Sequence, residues 1–257
     1  MEASFLAKQI LSSENLEDKL FTPDIITDLN PGTPLFWDTP ARAQDMIFTR
    51  RDKKDKLPKH SLDKDEHRAV CLHRFAGHEL LAVEIMAFAL LAFPDAPKTF
   101  RKGLITTLLE EQEHVRLYQK ELARFGCKLG DLPLFKHFWK LTPHMTDISK
   151  YVSITSLTLE MANLDFAPYY GSLFEKAGDL ESAQLMKRIF QDEIKNVAFG
   201  YGWLKKYQKD TNLPHQEWLS HLPDLVPPHR AKGPVFNTEG RKKAGLSEEF
   251  ILFLKDA

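Results

Sequence analysis

The chain has only two cysteines, Cys71 and Cys127, and their spacing fits neither a zinc motif nor a redox pair. A disulfide framework is excluded, and a reduced, cytoplasmic setting is expected, in keeping with the lack of a signal-peptide pattern. An excess of charge is also missing: 35 basic residues face 36 acidic ones, for a formal net charge of −1. Nothing global therefore draws the chain to nucleic acid or to an anionic membrane. The longest apolar run, LLAVEIMAFALLAF, reaches only from Leu80 to Phe93 and contains Glu84. It is too short and too charged to span a bilayer and reads as a buried helix. Arg50, Arg51, Lys53, Lys54, Lys56 and Lys59 form one basic patch, but Asp52 and Asp55 interrupt it. Such a run reads as a solvated loop, and nucleic acid is not the expected partner.

Strand-like alternation is absent too, and helical signals fill its place. Residues 1 to 20 suggest one or two short helices, with Ser12 or Ser13 as a cap before ENLEDKL. Pro23, Pro31, Pro34, Pro40 and Pro58 predict an extended covering loop over about 22 to 60. Four long helices are expected at about 62–93, 97–125, 147–176 and 180–209, with Gly126 and Gly178 as stops and Asp179 as a cap. A short amphipathic helix, LPLFKHFWKL, falls in the long connection between the second and third. LPHQEWLSHL, an irregular arm, and a last helix capped by Ser247 complete the chain. The expected fold class is thus all-α and the expected domain single: an N-terminal wrap (1–61), a four-helix core (62–210) and a C-terminal arm (211–257).

Within that core one pattern occurs twice. Glu79 is followed by Glu110-Glu111-Gln112-Glu113-His114, and Glu160 by Asp192-Glu193-Ile194-Lys195-Asn196, at offsets of 81 (79 to 160), 82 (111 to 193) and 82 (114 to 196). Residues three apart share one face of a helix, so Glu111 and His114 can close on one ion. Glu79 stands as far before Phe93 as Glu111 stands after Pro97, which puts both at one height in an antiparallel hairpin. The second copy is less regular: Glu160 stands about one helical turn farther before Ala177 than Glu193 stands after Asp179. A kink or bulge at Pro168 is the expected cause. Glu79 and Glu160 stand among apolar neighbours, and a buried carboxylate needs a proton, a cation or a metal to offset its desolvation. Four at matched positions point to metal.

These residues resemble the ligand set of the ferritin-like di-metal carboxylate superfamily, in which two helices each supply a Glu and two others a Glu-x-x-His. Rubrerythrins, ribonucleotide reductase small subunits and a bacterial tRNA hydroxylase share that core. The runs HRFAGHELLAVEIMAFALLAFPDAP, GPVFN and RKKAGLSEEF are more narrowly similar to a bacterial branch of ferritin-like proteins with no assigned reaction. The resemblance implies a four-helix bundle with one long crossover. It also implies a metal set of Glu79, Glu111, His114, Glu160, Glu193 and Asn196, binding one or two ions of Fe or Mn, with Glu111 and Glu193 bridging. Asn196 stands where the superfamily has a second His, and an amide oxygen is the weaker, harder donor. The second site is the one this puts in doubt. Glu110 and Asp192 are candidate outer hydrogen-bond acceptors, the alternative being exposure. Glu84 and Asp165, each at the fifth position past a leading Glu, are outer or interhelical partners unless a bulge turns them inward. His73 and His78 read as local hydrogen-bonding groups. In the C-terminal arm, Arg230 or Arg241 could receive an anionic substrate group; the alternative is an arm that seals the core.

The function implied is an iron- or manganese-dependent oxidase or oxygenase acting on a small molecule with dioxygen or peroxide. The alternatives are a non-catalytic metal-binding or storage protein and a scaffold that has lost one metal site.

Overall fold

The computed structural model describes residues 1–50, 56–58, 60–209 and 213–257, so most of the basic patch lies outside the described residues. These contain ten α-helices and no strand. The chain divides into two compact units, Met1–Thr142 and Pro143–Ala257.

In the first unit, α1 (Ala3–Ser12) buries Leu6, Ile10 and Leu11 and packs on α3. The cap of α2 (Leu16–Lys19) is Asn15, whose side chain accepts from the Glu17 amide, and not the expected serine. Ser13 instead accepts from the Asn15 amide and donates to Asp18, fixing the turn between the two helices. The Pro-rich segment after it is irregular apart from a 3₁₀ turn at Gln44–Met46, as its composition requires. Then come α3 (Asp65–Ala92) and α4 (Lys98–Arg124), which pack on each other as a hairpin closed at Pro94 and Pro97.

α3 is long and apolar enough to cross a membrane by length and composition, with a mean hydropathy of 1.7 over its best window. Yet 89% of that window is buried inside the protein. The helix is apolar all round because it is enclosed all round. The expected helix over 132–141 is not formed: Leu134 pairs with Phe48 in an isolated bridge, and its carbonyl accepts from the Thr49 amide at 2.8 Å. Only a 3₁₀ turn, Trp139–His144, remains, with the Trp139 ring N–H donating to the Asp38 carbonyl.

In the second unit, Asp147 caps α5 (Ile148–Ile154). A π-helical turn, Thr155–Glu160, leads directly into α6 (Met161–Lys176). Gly178, at φ +78°, ends that helix, and Asp179 caps α7 (Leu180–Tyr207), which packs on α6 as the second hairpin. After it come α8 (Pro214–His221), a 3₁₀ turn at Pro228–Ala231, α9 (Thr238–Lys243) and α10 (Glu248–Asp256). Ser247 caps α10 as expected; α9, capped by the Asn237 side chain, lies within the stretch read as irregular.

Each hairpin pins its flanking segment by a buried ion pair. Glu84, fully buried, meets Lys19 at 3.0 Å and Arg42 at 2.5 Å. Asp165, equally buried, meets both terminal nitrogens of Arg241, at 2.6 and 2.9 Å, and accepts from the amides of Gly233 and Asn237.

Candidate metal centre

The first hairpin sets up the site through its own geometry. Because the turn is equally far along the chain from both, Glu79 on α3 and Glu111 on α4 come level, and His114 follows Glu111 on the same face, one turn on. Glu79, Glu111 and His114 each offer a ligand atom, all within 4.8 Å of one another. They are 4%, 0% and 1% exposed. His114 Nδ1 lies 3.0 Å from Glu111 Oε2. Two ligand atoms about 2.1 Å from one ion and at right angles are themselves about 3.0 Å apart. The Glu111–His114 pair therefore has the spacing of two ligands on one ion, and the trio has the donor chemistry for a divalent ion.

The second hairpin brings the carboxylates of Glu160 and Glu193 within 4.8 Å of each other, both buried. Asn196, one turn past Glu193, faces it with Nδ2 at 3.3 Å from Oε2. Asn163, absent from the expected set, donates to Glu193 Oε1 at 2.9 Å. A sequence signal for it exists. The second copy reads Glu-x-x-Asn twice, at 160–163 and at 193–196.

Glu160 is presented by the π turn, and Pro168 is not the source of the irregularity expected here. α6 runs unbroken through Pro168, and the departure from α winding lies ahead of Glu160. A π turn displaces backbone partners, and side chains supply replacements. Thr155 and Thr158 donate to the carbonyls of Tyr151 and Ser153, both at 2.7 Å. Trp218, fully buried on α8, donates to the Ser153 carbonyl at 3.1 Å and contacts the Thr158 hydroxyl at 3.2 Å. Gly200 on α7 lets the turn approach, since a Cβ there would sit 2.2 Å from Ser156 Cβ.

One family model, described as protein of unknown function (DUF455), matches residues 5–252. The chain belongs to the DUF455 family. No curated protein and no solved structure gives a significant match. The DUF455 match runs from α1 into α10 and so takes in both carboxylate sets and the flanking segments.

The other candidates in this DUF455 chain have different places. Glu84 and Asp165 are engaged by Lys19, Arg42 and Arg241, so they serve as partners of the flanking segments and no bulge turns them toward an ion. Arg241 is fully buried on Asp165 and also donates to the carbonyls of Asn237 and Ala231, which takes its guanidinium from the substrate role; Arg230 is exposed. Asp192 is half-buried and pairs with Lys195 at 2.6 Å and Arg188 at 3.8 Å, while Glu110 is half-buried. His73 Nε2 accepts from the amides of Gly130 and Leu132, and His78 packs against the rings of His137 and Phe138.

Proposed function

We propose that this chain is a ferritin-like metalloprotein that holds iron or manganese at Glu79, Glu111 and His114. It acts as a cytoplasmic oxidase or oxygenase on a small molecule, with dioxygen or peroxide. One observation carries the metal part: two carboxylates and an imidazole, all buried, converge within 4.8 Å. Carboxylate oxygen with imidazole nitrogen suits first-row divalent ions, and three protein ligands leave positions open. When bound, the metal supplies Lewis acidity and electrons. The protein's part is to hold and to exclude: Glu79, Glu111 and His114 would hold the ion, and burial keeps bulk water from the ligands. The redox chemistry rests on the sequence resemblance. The Asn196 amide turned toward Glu193 favours a second reading, a metal-binding protein with one site lost.

Metal analysis of protein purified from its native host tests the assignment. Iron or manganese at one or more equivalents is expected in the wild type, with a loss of at least one equivalent in Glu111→Ala. A metal-free wild type, or unchanged metal in the variant, would refute it. Substrate-dependent oxygen consumption would then separate oxidase from store.

A further inference from the structure

We infer that Asn163 is a positioning residue for Glu193. Together with Asn196 it makes the second carboxylate set a hydrogen-bonded one, and the chain then has one tight metal site and one weak one. This rests on the metal-binding reading above and adds stoichiometry to it.

Glu193 is fully buried, and each of its oxygens faces a side-chain amide: Oε1 that of Asn163 at 2.9 Å, Oε2 that of Asn196 at 3.3 Å. The end of each amide turned to it is the NH₂ group, which donates. An amide nitrogen has no lone pair to offer an ion. Asn196 therefore presents a donor where His114, in the first hairpin, presents a ring nitrogen 3.0 Å from its glutamate that can either donate or ligate. The consequence is a difference in the kind of ligand. The first hairpin gives two carboxylates and an imidazole, from Glu79, Glu111 and His114, whereas the second gives the carboxylates of Glu160 and Glu193 and no imidazole. Asn163 lies on α6, about one turn past Glu160 at the end of the π turn, and so ties α6 to the Glu193 carboxylate across the second hairpin.

The test is calorimetric titration of metal-free protein with Mn²⁺, with circular dichroism to verify folding of each variant. The wild type should take up one tight equivalent, with the second appearing only at higher Mn²⁺. Asn196→His, which supplies a lone pair at the amide's place, should add a second tight equivalent. In that background Asn163→Ala should weaken the second equivalent about 10–100-fold and leave the first unchanged, the usual effect of removing a group that orients a ligand. Asn163→Ser serves if the alanine variant does not fold. Two equally tight equivalents in the wild type, or no gain in folded Asn196→His, would overturn the inference while the metal reading stood. Equal weakening of both equivalents by Asn163→Ala, or of neither, would remove Asn163 from the role. Absence of binding both of Mn²⁺ and, in an anaerobic repeat, of Fe²⁺ would defeat the metal reading itself.

Discussion

His73 should make this protein acid-sensitive over a defined window. It lies on α3, 1% exposed, and its Nε2 accepts from the backbone amides of Gly130 at 3.0 Å and Leu132 at 3.3 Å, fastening the segment after α4 to the core helix. Burial, reinforced by the neighbouring Arg74 charge and opposed by Asp131, pushes its pKa from 6.5 down to about 4. A protonated ring would also turn an N–H toward two N–H groups. Between pH 6.5 and 4 the unfolded chain therefore holds a proton that the folded chain refuses, and stability is complete above 6.5 and lost as pH falls through 4. With about 1.36 kcal/mol per unit over about 2.5 units, the loss is about 3 kcal/mol. Urea unfolding at half-unit steps from pH 7 to 4 would measure it, with His73→Gln as the control that keeps an acceptor and removes the titration. The variant should lack a slope of about 1.4 kcal/mol per pH unit that the wild type shows. Identical slopes in the two proteins would refute the reasoning.

Arg241→Met leaves Asp165 buried and without its cation, so it should lower stability by about 3–5 kcal/mol, or about 6–20 °C in Tm. A loss under about 1 kcal/mol in thermal or urea unfolding would show that the pair is not the anchor of the C-terminal arm. Trp218→Phe keeps the ring volume approximately but withdraws the donor from the Ser153 carbonyl, and should cost about 1–3 kcal/mol. It should also weaken metal binding by Glu160 if the π turn sets that side chain's position; unaltered stability by urea titration would speak against the role.

The long helices were legible because their signals are local. Pro94 and Pro97 close one hairpin, Gly178 and Asp179 the other, and the equal distance along the chain from the turn to Glu79 and to Glu111 brings both to one ion-sized space. What escaped depends on distant partners. LPLFKHFWKL has a helical pattern, yet Pro133 and the pairing of Leu134 with Phe48 draw most of it into an extended path. The π turn leaves the apolar pattern intact, and its support comes from Trp218, on another helix and far beyond Glu160 in sequence. Asn163 was within reach, since Glu-x-x-Asn recurs at 160 and 193, but a search for imidazole passes over an amide.

The repeat reaches one step beyond the candidate ligands. At the fifth position past each leading glutamate stands another buried carboxylate, Glu84 or Asp165, and each takes its cations from the segment flanking its own hairpin: Lys19 and Arg42 in one, Arg241 in the other. Net stability is a poor explanation for them, because desolvating both ions offsets much of their attraction, and apolar replacements of similar volume are often neutral or better. Path is the better explanation. Asp165 accepts from the amides of Gly233 and Asn237 as well as from Arg241, and a Cβ at Gly233 would sit 2.8 Å from Asp165 Cβ, so the arm is held to one line that a leucine could not dictate. Lys19 works the same way at the other end, donating to the Ile10 carbonyl while facing Glu84, which joins α1, α2 and α3 at one point. The duplicated carboxylates thus divide into two pairs by position along the helix: those at 79 and 160 belong to the candidate metal-ligand sets, and those at 84 and 165 fix the segments that flank the hairpins.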